Sequence, residues 1–200
     1  DAWANYKVNY IGTLEASTVM PDLAPAYVGA AAVPPDSSFL VMPPDQLAAA
    51  YADLLNKGDK SQYASAFDEQ SDLFRPSVVK SQQDRLAKFN ETGSKTASMT
   101  FSTAAGTDAP LSLATLESGA IVAVDVVESE IVKPTADGAV IKLNGNALVQ
   151  ALTGVDQSAS GVNTSYVDQL FFYVPGQGSS DTKIRLLGYQ SNILGAKVIK

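Results

Sequence analysis

Asp125 is the residue with the most chemistry to offer. It stands in a Val- and Ile-rich stretch, residues 119–133 (GAIVAVDVVESEIVK), and shares its face with Ile121, Ala123 and Val127. A carboxylate among apolar neighbours is costly unless paired, and a raised pKa there suits a general base that abstracts a proton. The commoner outcome is structural: a carboxylate at the mouth of a sheet, or one satisfied by Arg185 or a tyrosine hydroxyl. Tyr166 and Asp168 lie two apart on one face with Leu170 and Phe172, and Arg185 falls in the partner strand. These three are the candidate binding residues of a polar pocket mouth, against the ordinary alternative of cross-strand pairs.

Other patterns offer less. Glu128 and Glu130 share a face and present two carboxylates to calcium, but no Asp/Asn/Gly ligand loop accompanies them, so they read as a solvated strand end. Gly176-Gln177-Gly178 has the spacing that begins a dinucleotide motif, yet a strand follows where phosphate binding needs a helix. No cofactor and no metal site is expected. The chain contains no cysteine and no histidine, which removes thiol nucleophiles, Ser-His-Asp and Cys-His arrangements and the usual zinc ligands.

Charge and composition bound the partners. Fourteen basic against 21 acidic residues give a net charge of −7, which repels phosphate backbones, so nucleic acid is not expected as a partner. No apolar run approaches the roughly 20 residues of a membrane helix, so no transmembrane segment is expected in this chain. Few Lys and Arg among many Ala, Ser, Thr and Gly is the composition of an exported bacterial protein. No export segment is visible, so the expectation is that any such segment was either removed or lay upstream.

Residues 119–133 read as a long central strand, bounded by Ser118-Gly119 and by Pro134 with Asp137-Gly138. Its first half is apolar on both faces and is expected to be covered on both. Residues 1–14 alternate as a strand carrying Trp3, and the next 30 include six prolines (Pro21, Pro25, Pro34, Pro35, Pro43, Pro44) in an extended connector. The division expected is 1–44, a strand and connector ending a truncated upstream domain, and 45–200, an α+β domain. Leu47, Tyr51, Leu54 and Leu55 predict a helix after Pro44 that stops at Asn56-Lys57-Gly58-Asp59. Tyr63, Ala66 and Phe67 predict a second, short helix, and Val79, Leu86 and Phe89 a third over residues 76–90, closed by Gly93. All these apolar positions are expected in the core. Strands are expected at 96–103, 111–117 and 139–143, forming a meander with the central strand, and residues 147–152 as a short helix or irregular cover. Residues 154–164 read as an exposed loop. Strands at 166–174 and 182–189 form a hairpin across 175–181, and Ile193, Leu194, Val198 and Ile199 add a short edge.

Several segments, in order, carry a resemblance: the opening strand with Trp3, Pro43-Pro44, Tyr51-Ala52-Asp53, Gly119-Ala120-Ile121-Val122, Tyr166-Val167-Asp168-Gln169, Tyr173-Val174-Pro175, and Ile184 to Gly188. Together they resemble the C-terminal portion of a family of actinobacterial exported proteins and envelope lipoproteins of unknown function. The resemblance implies a bacterial cell-surface location, a related domain upstream, and lipid anchoring through a residue ahead of this chain. It supplies no catalytic residues. Helices followed by a twisted antiparallel sheet are also similar to the cone-shaped α+β fold of nuclear-transport-factor-like and cystatin-like domains, which hosts enzymes and binding modules alike.

The expected function is therefore a non-catalytic extracytoplasmic module that binds an envelope protein, a glycan or an apolar ligand. A small isomerase- or hydrolase-type pocket enzyme with Asp125 as base is the alternative. A purely structural partner for the upstream domain is the third.

Overall fold

The computed structural model describes residues 8–14 and 16–200. The first half of the expected first strand, with Trp3, falls outside the described residues; within them it is a two-residue strand, β1 (Thr13–Leu14). The first long helix forms where expected: α1 (Pro44–Lys57) begins with Pro at its first position and ends on Gly58 at φ 56°. Both choices suit their places, because proline lacks the amide a first turn leaves unbonded and glycine tolerates the left-handed exit. The second helix is reduced to two single 3-10 turns, Gly58–Lys60 and Ala64–Ala66. Helix α2 (Phe74–Thr92) starts two residues before Pro76 and is capped by the Gly93 amide donating to the Phe89 carbonyl at 2.7 Å.

Among the described residues, eight strands and a short third helix, α3 (Ala147–Thr153), complete the α+β fold. The remaining strands are β2 (Ala97–Ala105), β3 (Leu111–Ala114), β4 (Ala120–Pro134), β5 (Ile141–Lys142), β6 (Gln157–Ser158), β7 (Val162–Val174) and β8 (Arg185–Val198). Six of them form a large antiparallel sheet in the order β1-β8-β7-β4-β2, with β3 also on β4, and β5 pairs β6 separately. The stretch expected as the central strand forms β4, which is interior but one in from the β2 and β3 edge, and β7 takes the middle of the sheet. The meander is not formed, because β2 and β3 do not pair with each other but both pair with β4. Gly106 hydrogen-bonds Asp125 and Leu111 faces Ala123, so five residues of the edge pass while β4 advances two. Residues 107–110 are thereby looped out beside Asp125. The hairpin strands also run longer than their apolar cores: residues 193, 194 and 198 continue β8 and add no separate edge.

Two compact units divide the chain, and each is built from three segments. The first comprises residues up to Asp72, Ala105–Val126 and Asp168–Gln190. Its core joins Tyr51 of α1 to Phe67 and Phe172, with ring centroids 5.3 and 4.9 Å away, and the Tyr51 hydroxyl donates to Asp72 at 2.8 Å. The proline-rich connector belongs to this unit, and its backbone bonds to β3 and to the turn after β7: Val33 N–H to Ser112, Ala114 N–H to Ala31, Val41 N–H to Pro175.

The second unit comprises Leu73–Ala104, Val127–Val167 and Ser191–Lys200. Leu143, Val149 and Val162 form a small core there with Ile141, Val155 and Ala196. Asn146 caps α3 by accepting from the Val149 amide at 3.1 Å, and Gly154 closes it at φ 71°. The segment 154–164 is not an exposed loop: it contains β6 and the start of β7, and Ser158, Val162 and Thr164 are buried. Its alternation is masked in sequence by small polar residues that bond locally, as Ser158 does by donating to the Gly161 carbonyl at 2.9 Å. The apolar stripe expected for α2 is corrected as well. Val79 and Leu86 are exposed, while Val78, Gln82, Arg85 and Phe89 take the half-buried face.

Candidate functional site

In the first unit, Asp125 is buried at 5% exposure on β4. Gly106 lies directly against it, since a Cβ there would stand 1.7 Å from the Asp125 Oδ2. The looped-out residues bring Asp108 alongside, and the Asp108 backbone amide hydrogen-bonds the Asp125 carboxylate. Burial first, and the Asp108 charge second, raise the Asp125 pKa above 3.8, against the lowering effect of that amide. Tyr10 completes the cluster: its hydroxyl donates to the Ala109 carbonyl at 3.1 Å, and burial together with Asp125 and Asp108 pushes it up to about 12. Both environments therefore disfavour the charged forms. The sequence points to Asp125 but not to Asp108, which the interruption between β2 and β3 brings alongside, or to Tyr10, which comes from the N-terminal segment.

Arg185, also in the first unit, does not serve Asp125. It approaches Asp181 at 3.5 Å and lies over the Tyr173 ring at 4.7 Å. Asp168 is buried at 4% exposure in the same unit. Gly176 belongs to a tight turn, not to a phosphate cradle, since a Cβ on it would stand 2.1 Å from the Ser118 carbonyl oxygen.

Tyr166 belongs to the second unit, where it joins a cluster the sequence does not announce. Arg85 of α2 forks onto two carboxylates of β4, with Nη2 on Glu128 and Nη1 on Glu130 at 2.7 Å. Its guanidinium stacks over Phe101 at 4.7 Å and Tyr166 at 5.2 Å, and Gln82 donates to Glu128 at 2.8 Å. Glu128 and Glu130 are thus not a solvated strand end. Burial lowers the Arg85 pKa, but Glu128 and then Glu130 outweigh it and raise it. Burial raises Glu130 above 4.5 against the pull of Arg85, and it also raises Tyr166. The charges in this clasp satisfy one another, which fits a fastening between helix and sheet.

The second unit also holds a cavity of about 400 Å³ at the ends of its long strands. Its lining combines Ile131, Val198 and Ile199 with Asn163 and three lysines, Lys133, Lys197 and Lys200. Gly161 lets its wall close, at φ 105°, where a Cβ would stand 2.5 Å from the Val132 carbonyl oxygen. The Ile199 amide donates to the Gly161 carbonyl at 3.0 Å and fixes the last lining residues. The Asn163 side-chain carbonyl is buried and has no hydrogen-bond donor among the described residues.

A family model described as Domain of unknown function (DUF8094) matches residues 2–198. The chain belongs to the DUF8094 family. No curated protein and no solved structure matches it. This DUF8094 domain therefore presents three places for chemistry: the Asp125 cluster, the Arg85 clasp and the lysine-bearing cavity. Among the described residues no group of three or more Asp or Glu side chains is placed to hold a metal ion, and no helix is long and apolar enough to cross a membrane.

Proposed function

We propose that this chain is a non-catalytic binding module of the bacterial cell envelope, acting outside the cytoplasm and holding an apolar ligand in the cavity of its second unit. The cavity carries this reading: at about 400 Å³ it lies within the roughly 300–1,000 Å³ typical of small-ligand sites. The mutual satisfaction of Arg85, Glu128 and Glu130 supports it, since a clasp of this kind leaves little reactivity free. Composition and the exported-protein resemblance support the location. An envelope protein or glycan is the alternative occupant. The same reading assigns the fold to the cystatin-like and nuclear-transport-factor-like class, supported by helices that precede the long antiparallel strands.

Titration with a neutral fluorescent apolar probe, phenylnaphthylamine, tests the proposal. Saturable one-site binding that Ile131→Trp abolishes, with the circular dichroism spectrum unchanged, is the expected result. Absence of saturation, or binding indifferent to that substitution, removes the reading. The second reading, a carboxylate-dependent enzyme, is favoured by one observation, the raised pKa of Asp125 beside Tyr10. It requires Asp125 to be a destabilised acid in the folded protein.

A further inference from the structure

We propose that the cavity accommodates a single-chain amphiphile with an anionic head, an acyl carboxylate, an inference that rests on the apolar-ligand reading and specifies its chemistry. Three observations point the same way. The apolar part of the lining, Ile131, Val198 and Ile199, suits a hydrocarbon chain, and a cavity of about 400 Å³ holds about a dozen water-sized groups at roughly 30 Å³ each. That is the heavy-atom content of a chain of about ten carbons.

The second observation is charge. In a chain with a net charge of −7, three of its 14 basic residues border this one cavity. None of Lys133, Lys197 and Lys200 has an ion-pair or hydrogen-bond partner among the described residues, a state they share with Lys60, Lys88, Lys95 and Lys142, but only these three stand together at an apolar cavity. Unpaired ammonium groups around an apolar trough complement a carboxylate whose tail lies in the trough. Third, the buried Asn163 carbonyl without a donor is a cost that a ligand or its accompanying water relieves by supplying a hydrogen bond. The lysines attract, the trough holds, and the amide orients. A cationic or neutral head leaves the three ammonium groups unanswered.

Displacement of bound phenylnaphthylamine by decanoate, methyl decanoate and decylammonium, each below its micelle concentration in low salt, tests the proposal. Decanoate is expected to displace the probe at about one-tenth the concentration of its ester, a difference of about 1.4 kcal/mol, with decylammonium weakest. The triple variant Lys133→Gln, Lys197→Gln, Lys200→Gln brings decanoate to the ester's value and leaves the ester where it was. High salt narrows the gap in the parent protein. Equal displacement by decanoate and ester, or a triple variant that changes neither, overturns the anionic-head proposal while leaving the apolar-ligand reading standing. Failure of the probe to bind removes both. Lysine-dependent sedimentation with phosphatidylglycerol vesicles, without displacement by decanoate, assigns the lysines to a bilayer surface and overturns the proposal.

Discussion

Asp125 is a carboxyl group whose charged form the fold disfavours. Its pKa in the folded protein lies above 3.8, because burial and then Asp108 disfavour its charge. The native state therefore holds this proton to higher pH than the unfolded chain does. Ionisation of Asp125 subtracts stability as pH climbs from 3.8 through the raised value, and below 3.8 the group contributes no such loss. Asp125→Asn removes the charge and keeps an acceptor for the Asp108 amide. The variant is expected to be at least as stable as the parent at about pH 7 and to converge with it at about pH 3, as read by chemical denaturation across that range. A variant less stable at every pH would make Asp125 a structural acceptor and end the enzyme reading. The residue itself was legible from the sequence, since one acid among Ile121, Ala123 and Val127 stands out. Its neighbours were not. Tyr10 and Asp108 are distant in sequence: the passage of five edge residues against two of β4 sets Asp108 beside it, and the N-terminal segment brings Tyr10.

At the scale of elements, α2 meets β4 through charge. Val78, Gln82, Arg85 and Phe89 form a stripe at helical spacing, and hydropathy alone finds Phe89 but misplaces Val79 and Leu86, which are exposed. What decides the face is the partner: β4 presents Glu128 and Glu130, and only Arg85 can fork onto both. Loss of the fork leaves Glu128, at 4% exposure, with Gln82 as its remaining side-chain donor. Arg85→Ala is expected to destabilise the protein by about 3 kcal/mol, and Arg85→Lys by an intermediate amount because a point charge cannot serve two carboxylates at once. Urea denaturation of both variants checks this, and a loss below about 1 kcal/mol in Arg85→Ala would place the clasp with ordinary surface ion pairs. By contrast α1 was readable throughout, because Leu47, Tyr51 and Leu54 are buried and Pro44 and Gly58 mark its ends.

Across the whole molecule, neither compact unit is a continuous piece of sequence. The strands β4, β7 and β8 each contribute one part to the first unit and one to the second. The sequence shows the α+β class and most long elements, but local patterns carry no information about which distant segments associate. A fragment of residues 73–167 retains two segments of the second unit and lacks Ser191–Lys200, which supplies Lys197, Val198 and Ile199 to the cavity. Such a fragment is expected to show no cooperative thermal transition by calorimetry, whereas the entire chain shows one. A cooperative transition in the fragment would show that the unit folds without its last segment.

The proline-rich stretch has a bearing on how copies of this protein meet. An uncovered strand edge is a template on which another chain can add itself, and repeated addition leads to fibres. Here the edge of β3 is already occupied by the connector, through Val33 to Ser112, Ala114 to Ala31 and Leu116 to Asp22. The connector in turn offers a poor template, because Pro25, Pro34 and Pro35 have no amide to donate. A segment that reads as a passive tether thus covers one edge of the sheet and presents proline-broken backbone in its place.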